Sequence, residues 1–532
     1  MLSRSEIRWD EFPYPSRRVP VFARNVVATS QPLAVQAGLH MLRRGGSAAD
    51  AAVAAAAVLT VTEPCSNGLG SDAFAIVWDG KDLHGLNASG RSPRAWRKDQ
   101  FAGKEEITTG WDTITVPGCV DAWSKLSRRF GKLKFEQLIE PAIRYAQDGY
   151  AVSPTVHGLW ADALGAYREL DGFMRIFCPE GRAPAVGEVF RSAAMADTLR
   201  RIAESHGDDF YRGRTARHAV DFLRRGGSLL SEEDLAEHQS EWVDPLQMPL
   251  GDVQLCEIPP NGQGIAALIA LGILDRAGVR SYEVDSVDGI HLQIEAMKAA
   301  FMLVREHVAD PEHMRVTVDD LLDDGRLEDI AASIDMKRAS QPDRPRAADG
   351  GTVYLTAADE SGMMVSFIQS NYWGFGSGVV DPETGISFQN RAAGFSLDPA
   401  HPNCVDGGKR PFHTIIPGFV MSGGQPVMSF GVMGGHMQAQ GHVQMTIRIF
   451  CHGQNPQAAS DAPRWFVDGD YDLVFEPGFD PAVQEALRER GHGIGTTTPM
   501  FAFGGAQLIY RLENGFYCAA SDHRKDGHAA GF

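Results

Sequence analysis

The chain has 532 residues, 43% hydrophobic and 22% charged, a composition typical of a globular protein with one large layered domain or two ordinary ones. Its net charge of -18 repels nucleic-acid phosphates and anionic lipid surfaces, so we expect neither a nucleic-acid nor a membrane partner. The N-terminal residues contain no apolar segment of the ~7–15 residues found in secretory signals, which predicts a cytoplasmic location.

Two helices are predicted near the start of the chain. The first is delimited by Ser30 and by the double glycine at 45–46. The second begins at a capping box, in which Ser47 and Asp50 each satisfy a free amide of the first helical turn. Its apolar run, 48–61, is shorter than the ~18 residues needed to span a bilayer and therefore predicts a buried core helix.

The pattern then changes twice along the chain. Two short strands are predicted around the turn at 79–80, and Arg91 follows the second of them. The region 130–335 has mostly helical periodicity, whereas strands and glycine-rich turns follow from Thr352 onward. The intervening stretch, 336–351, is charged and rich in proline and glycine, which predicts an exposed, mobile linker.

A hairpin is predicted immediately after this linker. The strand-like runs 352–359 and 363–370 are joined by a three-residue loop that ends in glycine. Counting outward from the loop places Thr352 opposite Ser370, with the two side chains ~5 Å apart on one face. A threonine hydroxyl at the start of a strand therefore has a second hydroxyl beside it, although an ordinary threonine ladder explains the same pattern.

A glycine-rich turn, "GVMGGH", follows the apolar strand "PVMSF". The consecutive amides of Gly434 and Gly435 suit the binding of an oxyanion, while the simpler interpretation is a tight turn.

Neither a metal site nor a cofactor is predicted. The pairs His436/His442 and His523/His528 lack the i, i+4 spacing and the accompanying carboxylates or cysteines of a metal site. The seven cysteines are widely spaced without a C-x-x-C pair, and we interpret them as reduced thiols.

Several segments in order, among them "GGSAADAAVAAAAVLTVTEPCSNGLG", "NASGRSPRA", "TVYLTAADESG", "GKRPFHTIIP" and "GVMGGH", resemble the γ-glutamyltranspeptidase family of N-terminal nucleophile hydrolases. The resemblance implies an α+β fold, a four-layer αββα sandwich. It also implies a proenzyme that cuts itself before a threonine, here between Gly351 and Thr352. The large subunit, 1–351, and the small subunit, 352–532, would then stay associated.

The residues at the implied cut suit this chemistry. The Thr352 hydroxyl would attack the Gly351 carbonyl, and glycine permits the close approach that this step requires. The freed α-amine, with a reference pKa of ~7.7–8.0, can act as the base for its own hydroxyl.

The resemblance also implies roles for individual residues. Thr352 matches the nucleophile and Ser370 the hydroxyl that supports it. Gly434 and Gly435 match the pair whose amides bind the oxyanion.

Four further positions match substrate-binding positions of the family. Arg91 matches the arginine that holds a substrate carboxylate, and His413 and Thr414 stand where two serines usually contact the same group. Tyr372 occupies a position often held by asparagine.

Two departures concern the substrate. Gly394 stands where the family has an acidic residue that receives the substrate α-amine. Arg391 aligns with a glutamine and is a further candidate substrate-binding residue, because an inward-pointing arginine would repel an ammonium and attract a carboxylate or carbonyl. The chain is also shorter before "GKRPFHT", which predicts that the loop covering the family's active site is missing. These differences favour a small acid amide without an amine, such as oxamate or a glutaryl amide.

We therefore predict a self-processing amidohydrolase acting on a small carboxylate-bearing amide. Two alternatives are a γ-glutamyltransferase or glutathione hydrolase, which passes its acyl group to water or an amino-acid acceptor, and an inactive family member that serves as a binding protein.

Overall fold

The computed structural model describes residues 17–341, 351–495 and 500–532. Its strands, in chain order, are β1 (Val21–Ala23), β2 (Val26–Thr29), β3 (Asp72–Trp78), β4 (Leu83–Ala88), β5 (Tyr150–Ala151), β6 (Val189–Phe190), β7 (Glu241–Val243), β8 (Leu246–Leu250), β9 (Val253–Glu257), β10 (Gly351–Ala358), β11 (Met364–Tyr372), β12 (Gly418–Ser422), β13 (Gln425–Val432), β14 (Trp465–Val467), β15 (Leu473–Phe475), β16 (Ala506–Arg511), β17 (Tyr517–Ser521) and β18 (His528–Gly531).

The α-helices of the same ranges are α1 (Pro32–Arg43), α2 (Ala48–Thr62), α3 (Cys119–Phe130), α4 (Phe135–Asp148), α5 (Pro154–Tyr167), α6 (Asp171–Phe177), α7 (Ala193–Glu204), α8 (Asp208–Arg212), α9 (Arg214–Arg225), α10 (Glu232–Ala236), α11 (Gly264–Arg276), α12 (Val287–His307), α13 (Val318–Leu321), α14 (Asp324–Ser333), α15 (Met437–Phe450), α16 (Pro456–Asp461) and α17 (Pro481–Glu489).

Two seven-stranded antiparallel sheets form the centre of the molecule. One has the order β1-β17-β16-β13-β12-β9-β8, and the other has the order β18-β2-β10-β11-β3-β4-β7. Apolar side chains from both sheets make a shared core between them, for example Phe74 and Ile368 from one and Phe419 and Ile509 from the other. Helices cover both outer faces, α1 and α2 on the second sheet and α11 and α15 on the first. The predicted four-layer αββα sandwich is therefore confirmed.

Both predicted N-terminal helices are present. Helix α2 begins at the predicted capping box, in which the Ser47 side chain accepts from the Asp50 amide and Asp50 accepts from the Ser47 amide. All of its residues are buried, because its many alanines let the helix approach the sheet and its neighbouring helices closely. Within the described ranges, no helix is both long and apolar enough to cross a bilayer.

The predicted hairpin is β10–β11, and its register is the predicted one from Val353, opposite Gln369, to Ala358, opposite Met364. The register shifts by one residue between Gly351 and Val353. Thr352 therefore lies at a local irregularity, a feature that often redirects a side chain beside a functional site.

The predominantly helical reading of 130–335 missed the strands β5 to β9. They are only two to five residues long, and β8 and β9 form one edge of a sheet, where short runs give little periodic signal. Residues 342–350 of the predicted linker lie outside the described ranges. Its earlier part is held in place, since the Ala339 amide donates to the Arg490 carbonyl and the Ser340 amide to Glu295.

Candidate active site

A cavity of about 1070 Å³ opens where β10 begins and β11 ends. Thr352, Tyr372 and Gly434 line it, together with Gly394 and Phe412 from the segment that follows β11. Its size is slightly above the range for small-molecule sites, ~300–1,000 Å³. The cavity therefore has room for more than a minimal amide around the candidate nucleophile.

Thr352 and Ser370 are in direct contact at the base of this cavity. The Thr352 hydroxyl donates to Ser370 Oγ at 3.1 Å, and the Ser370 hydroxyl donates to the Gly351 carbonyl oxygen at 2.7 Å. The Tyr372 amide also donates to Ser370 Oγ, at 2.8 Å, from a residue with a left-handed φ of 79°. The Ser370 proton thus points at the carbonyl of the Gly351–Thr352 bond.

Gly351 is packed closely by its surroundings. A Cβ atom at this position would lie 3.1 Å from the Cys65 carbonyl oxygen and 3.3 Å from the Gly374 amide nitrogen. Both neighbours are backbone atoms, so a larger residue would displace the bond that the Thr352 hydroxyl is expected to attack.

The two glycines after β13 make the turn into α15. Gly434 and Gly435 have φ values of 113° and 53°, which few other residues adopt without strain. Neither amide donates a hydrogen bond to any described residue. The turn also precedes the N-terminus of a 14-residue helix, where the helix dipole favours negative charge. These features suit the binding of an oxyanion.

Arg391 lies inside the protein, directly behind Ser370. Its guanidinium donates to Ser370 Oγ at 3.3 Å and to Thr414 Oγ1 at 3.1 Å, and it lies 4.4 Å above the Tyr372 ring. The side chain is fully buried, and Arg391 is not among the residues that line the cavity. Arg391 points inward as expected, but it contacts Ser370 from behind and does not reach the cavity where a substrate would bind, because Ser370 and Thr414 occupy its donors.

Asp72 balances this charge and was not identified from the sequence. Asp72 Oδ2 lies 3.7 Å from Arg391 Nε and 3.0 Å from His413 Nε2, and all three side chains are fully buried. Burial raises the pKa of Asp72 to about 7 although Arg391 lowers it, and burial keeps the pKa of His413 well below its usual value. The available signal was a lone acid at the first position of the apolar strand β3.

Arg91 stands apart from these contacts. Its guanidinium is bound to Asp310 Oδ2 at 2.8 Å and to the Gly408 carbonyl at 3.1 Å. It is not among the cavity-lining residues, and neither are His413 and Thr414. Direct contacts thus join Thr352, Ser370, Arg391, Thr414 and Tyr372, and Asp72 links His413 to Arg391. The proposed carboxylate ligand Arg91 already has an acidic partner.

A different group has the composition of a metal site. Ligand atoms of His291, Glu295 and His492 lie within 4.8 Å of one another, and all three residues are buried. Lys298 Nζ lies 3.2 Å from both Glu295 Oε1 and His492 Nδ1. An ammonium group therefore already contacts two of the three ligands. Of the histidines considered from the sequence, His442 instead pairs with Glu257 at 2.6 Å.

Comparisons with known proteins agree along almost the whole chain. The family model described as Gamma-glutamyltranspeptidase matches residues 34–532. The glutathione hydrolase-like YwrD proenzyme of Bacillus subtilis is 34% identical over 96% of this chain and 98% of its own. The oxamate amidohydrolase proenzyme of Klebsiella pneumoniae is 37% identical over 94% of this chain and 97% of its own.

Among solved structures, the cephalosporin acylase from Bacillus halodurans superposes with a TM-score of 0.93. It is 47% identical to this chain, and the match covers 98% of both chains.

Proposed function

This chain belongs to the gamma-glutamyltranspeptidase family, and on that basis we propose that it is a self-processing amidohydrolase with Thr352 as its nucleophile. The observation that carries the proposal is the arrangement at the Gly351–Thr352 bond. There the Ser370 hydroxyl donates to the carbonyl oxygen while the Thr352 hydroxyl lies against Ser370.

Self-processing would begin with attack of the Thr352 hydroxyl oxygen on the Gly351 carbonyl carbon. The hydrogen bond from Ser370 polarises this carbonyl and stabilises the negative charge that develops on its oxygen. The C–N bond then breaks as the hydroxyl proton passes to the nitrogen, which becomes a free amine, and the acyl group is left on the threonine oxygen as an ester. Water hydrolyses the ester, which leaves a carboxylate on Gly351 and an α-amine on Thr352.

Turnover would reuse the same groups on a substrate amide. The Thr352 α-amine, with a reference pKa of ~7.7–8.0, takes the hydroxyl proton as the oxygen attacks the substrate carbonyl. The free amides of Gly434 and Gly435 would donate hydrogen bonds to the oxyanion. The proton passes to the leaving amine, and water then releases the acid from the threonyl ester.

A substrate without an α-amine is supported by the surroundings of Gly394. A Cβ atom at this position would lie 2.3 Å from the Phe412 carbonyl oxygen, so the backbone leaves no room for an acidic side chain. A buried substrate ammonium without an anion costs on the order of a few kcal/mol. We therefore propose a carboxylate-bearing amide such as oxamate or a glutaryl amide, as the name of the Klebsiella relative also suggests.

Intact-mass measurement of the purified protein tests the nucleophile. The wild type should separate under denaturing conditions into residues 1–351 and 352–532, and Thr352→Ala should remain one inactive chain. Thr352→Ser, which keeps a hydroxyl, is the matched control and should still be cut. Cleavage of Thr352→Ala at the same bond, or full activity of an uncut wild type, contradicts the proposal.

A comparison of kcat/KM for a γ-glutamyl anilide, the matching glutaryl anilide and oxamate tests the substrate. Preference for the γ-glutamyl compound by tenfold or more would mean that another residue supplies an anion for the amine.

A further inference from the structure

We propose that Lys525 binds the substrate carboxylate and thereby determines the specificity of the site. This inference rests on the proposed amidohydrolase function and concerns a residue near the C-terminus of the chain, far in sequence from the other candidate residues.

The charged groups of the cavity are separated by depth. The acids that line it, Glu105, Glu106 and Asp162, are exposed at its rim. The lining cations are Arg305 and Lys525, of which Lys525 is buried. An anionic group that enters the cavity therefore meets positive charge in the interior. Of the two lining cations, Lys525 is the more deeply buried.

Lys525 lacks a partner for its ammonium group. The residue is only 8% exposed, yet no hydrogen bond or ion pair joins Nζ to residues 17–341, 351–495 or 500–532. By contrast, Arg91 is bound to Asp310 and Arg391 lies beside Asp72. The ammonium group of this largely buried lysine is therefore available to a bound carboxylate, with which it can form charge-assisted hydrogen bonds.

Glu63 is a buried acid close enough to Lys525 for the two charges to interact through space. Its carboxylate accepts from the Ser30 hydroxyl at 2.5 Å, and burial raises the pKa of Glu63 although Lys525 lowers it. Within the cavity lining, His436 adds no positive charge at neutral pH, since burial lowers its pKa to about 4. Lys525 thus lies near Glu63 without a hydrogen bond or an ion pair to it among the described residues.

The backbone places Lys525 on the side of the Gly434 turn. A Cβ atom at Gly505 would lie 2.7 Å from Lys525 Cγ, and one at Gly434 would lie 3.0 Å from the Cα of Gly504. The lysine stem therefore packs on the segment that supports the candidate oxyanion turn. Arg18 Nη2 donates to the Lys525 carbonyl at 3.0 Å, which holds the residue in position before substrate arrives.

The occupant that this arrangement fits is the carboxylate of an acid amide whose scissile carbonyl lies at Thr352. A carboxylate on Lys525 would leave the Arg91–Asp310 and Arg391–Asp72 pairs intact. Charge-assisted hydrogen bonds of this kind change affinity by about 10- to 100-fold.

The test compares Lys525→Met, Lys525→Arg, Arg305→Met and the surface control Lys81→Met on two probes, glutaryl 4-nitroanilide and its uncharged methyl ester. In Lys525→Met we expect kcat/KM for the acid to fall by about 10- to 100-fold, mostly through KM, and the ester to change by less than about threefold. Lys525→Arg should keep most of the preference for the acid, and Lys81→Met should match the wild type.

Calorimetric titration with glutarate measures the same interaction without turnover, and its affinity should weaken by a similar factor in Lys525→Met. Equal losses on acid and ester, unchanged glutarate affinity, or a loss of discrimination in Arg305→Met alone would overturn the assignment to Lys525. Failure of the wild type to cleave itself or to hydrolyse either anilide would instead contradict the proposed function, and glutarate affinity would still decide the role of Lys525.

Discussion

Two buried polar networks of this protein are built from similar residues and differ in how completely their atoms are satisfied. The nucleophile network comprises Ser370, Arg391, Asp72 and His413, and the relay network comprises Lys298, His492, His291 and Glu295. Both bring together an acid, a cation and at least one histidine with little exposure to solvent.

In the relay network the donors are matched by acceptors, and Lys298 Nζ donates to Glu295 Oε1, the Ser340 carbonyl and His492 Nδ1. Lys298 can only donate, so His492 Nδ1 accepts from it and His492 Nε2 carries the proton that is donated to His291 Nδ1 at 2.8 Å. His291 Nε2 then donates to the Asp335 carbonyl at 3.0 Å. Burial lowers the pKa of His492 to about 2 and also lowers that of His291, which keeps both rings neutral.

The nucleophile network is not closed in this way. Three groups, Thr352, Tyr372 and Arg391, direct donors at Ser370 Oγ, which has only two lone pairs. Arg391 Nε has no hydrogen-bond partner among the described residues. The comparison indicates that the relay network holds chain segments together. In the nucleophile network, by contrast, the donors at Ser370 Oγ compete for its lone pairs and can exchange hydrogen-bond partners.

Among the changes that test this comparison, removal of the buried cation Arg391 should have the largest effect. Arg391→Met leaves Asp72 in the interior without its cation, so we expect the free energy of unfolding to fall by ~3–5 kcal/mol. Urea unfolding measures this loss, and Arg144→Met, at an exposed position, should change stability by less than ~0.5 kcal/mol. The double variant with Asp72→Asn should recover part of the loss; a purely additive double variant would show that the two charges do not interact.

Removal of the shared hydroxyl should affect the rate. Ser370→Ala should slow turnover by ~10²-fold, because Thr352 loses its hydrogen-bond partner. Self-cleavage should slow as well, since the Gly351 carbonyl loses the donor that polarises it. Steady-state kinetics on fully processed enzyme, verified by mass, measure the first effect. Unchanged turnover would assign Ser370 a structural role only.

The raised pKa of Asp72 predicts a pH dependence that Asp72→Asn should remove. A carboxyl group with a folded pKa of about 7, above its unfolded value near 3.8, stabilises the fold fully below the unfolded pKa and loses that contribution as pH rises. The free energy of unfolding of the wild type minus that of Asp72→Asn should therefore decrease as the pH rises from 4 to 7, by at most ~1.4 kcal/mol per pH unit. Urea unfolding at several pH values measures this difference, and an increase with pH would contradict the prediction.

The relay network should give the smallest effect. In His492→Gln the amide oxygen can still accept from Lys298 and the amide nitrogen can still donate to His291, so we expect a loss of only ~1 kcal/mol. The kcat of the processed enzyme should equal that of the wild type. A large fall in kcat with unchanged stability would remove the distinction between the two networks.

Local sequence patterns determined much of the fold. The capping box at Ser47 and Asp50, the apolar helix α2 and the register of the β10–β11 hairpin each depend on residues within a few positions of one another. Motifs such as "TVYLTAADESG" and "GVMGGH" carry the resemblance to the family, which the comparisons then confirmed over residues 34–532. Short edge strands such as β8 were missed because their burial is decided by the sheet they join.

Only the tertiary structure decided how charges are paired around the candidate site. His413 contacts Asp72 across 341 positions of the chain, and Arg91 finds its partner, Asp310, across 219. Lys525 lines the cavity from the C-terminal segment, and a side chain at Gly394 would collide with the backbone at Phe412. Periodicity predicts which face of an element is buried, but the packing of the two sheets sets which segments meet at their ends. The charge of a buried group, and therefore its chemistry, depends on which groups from other segments become its neighbours.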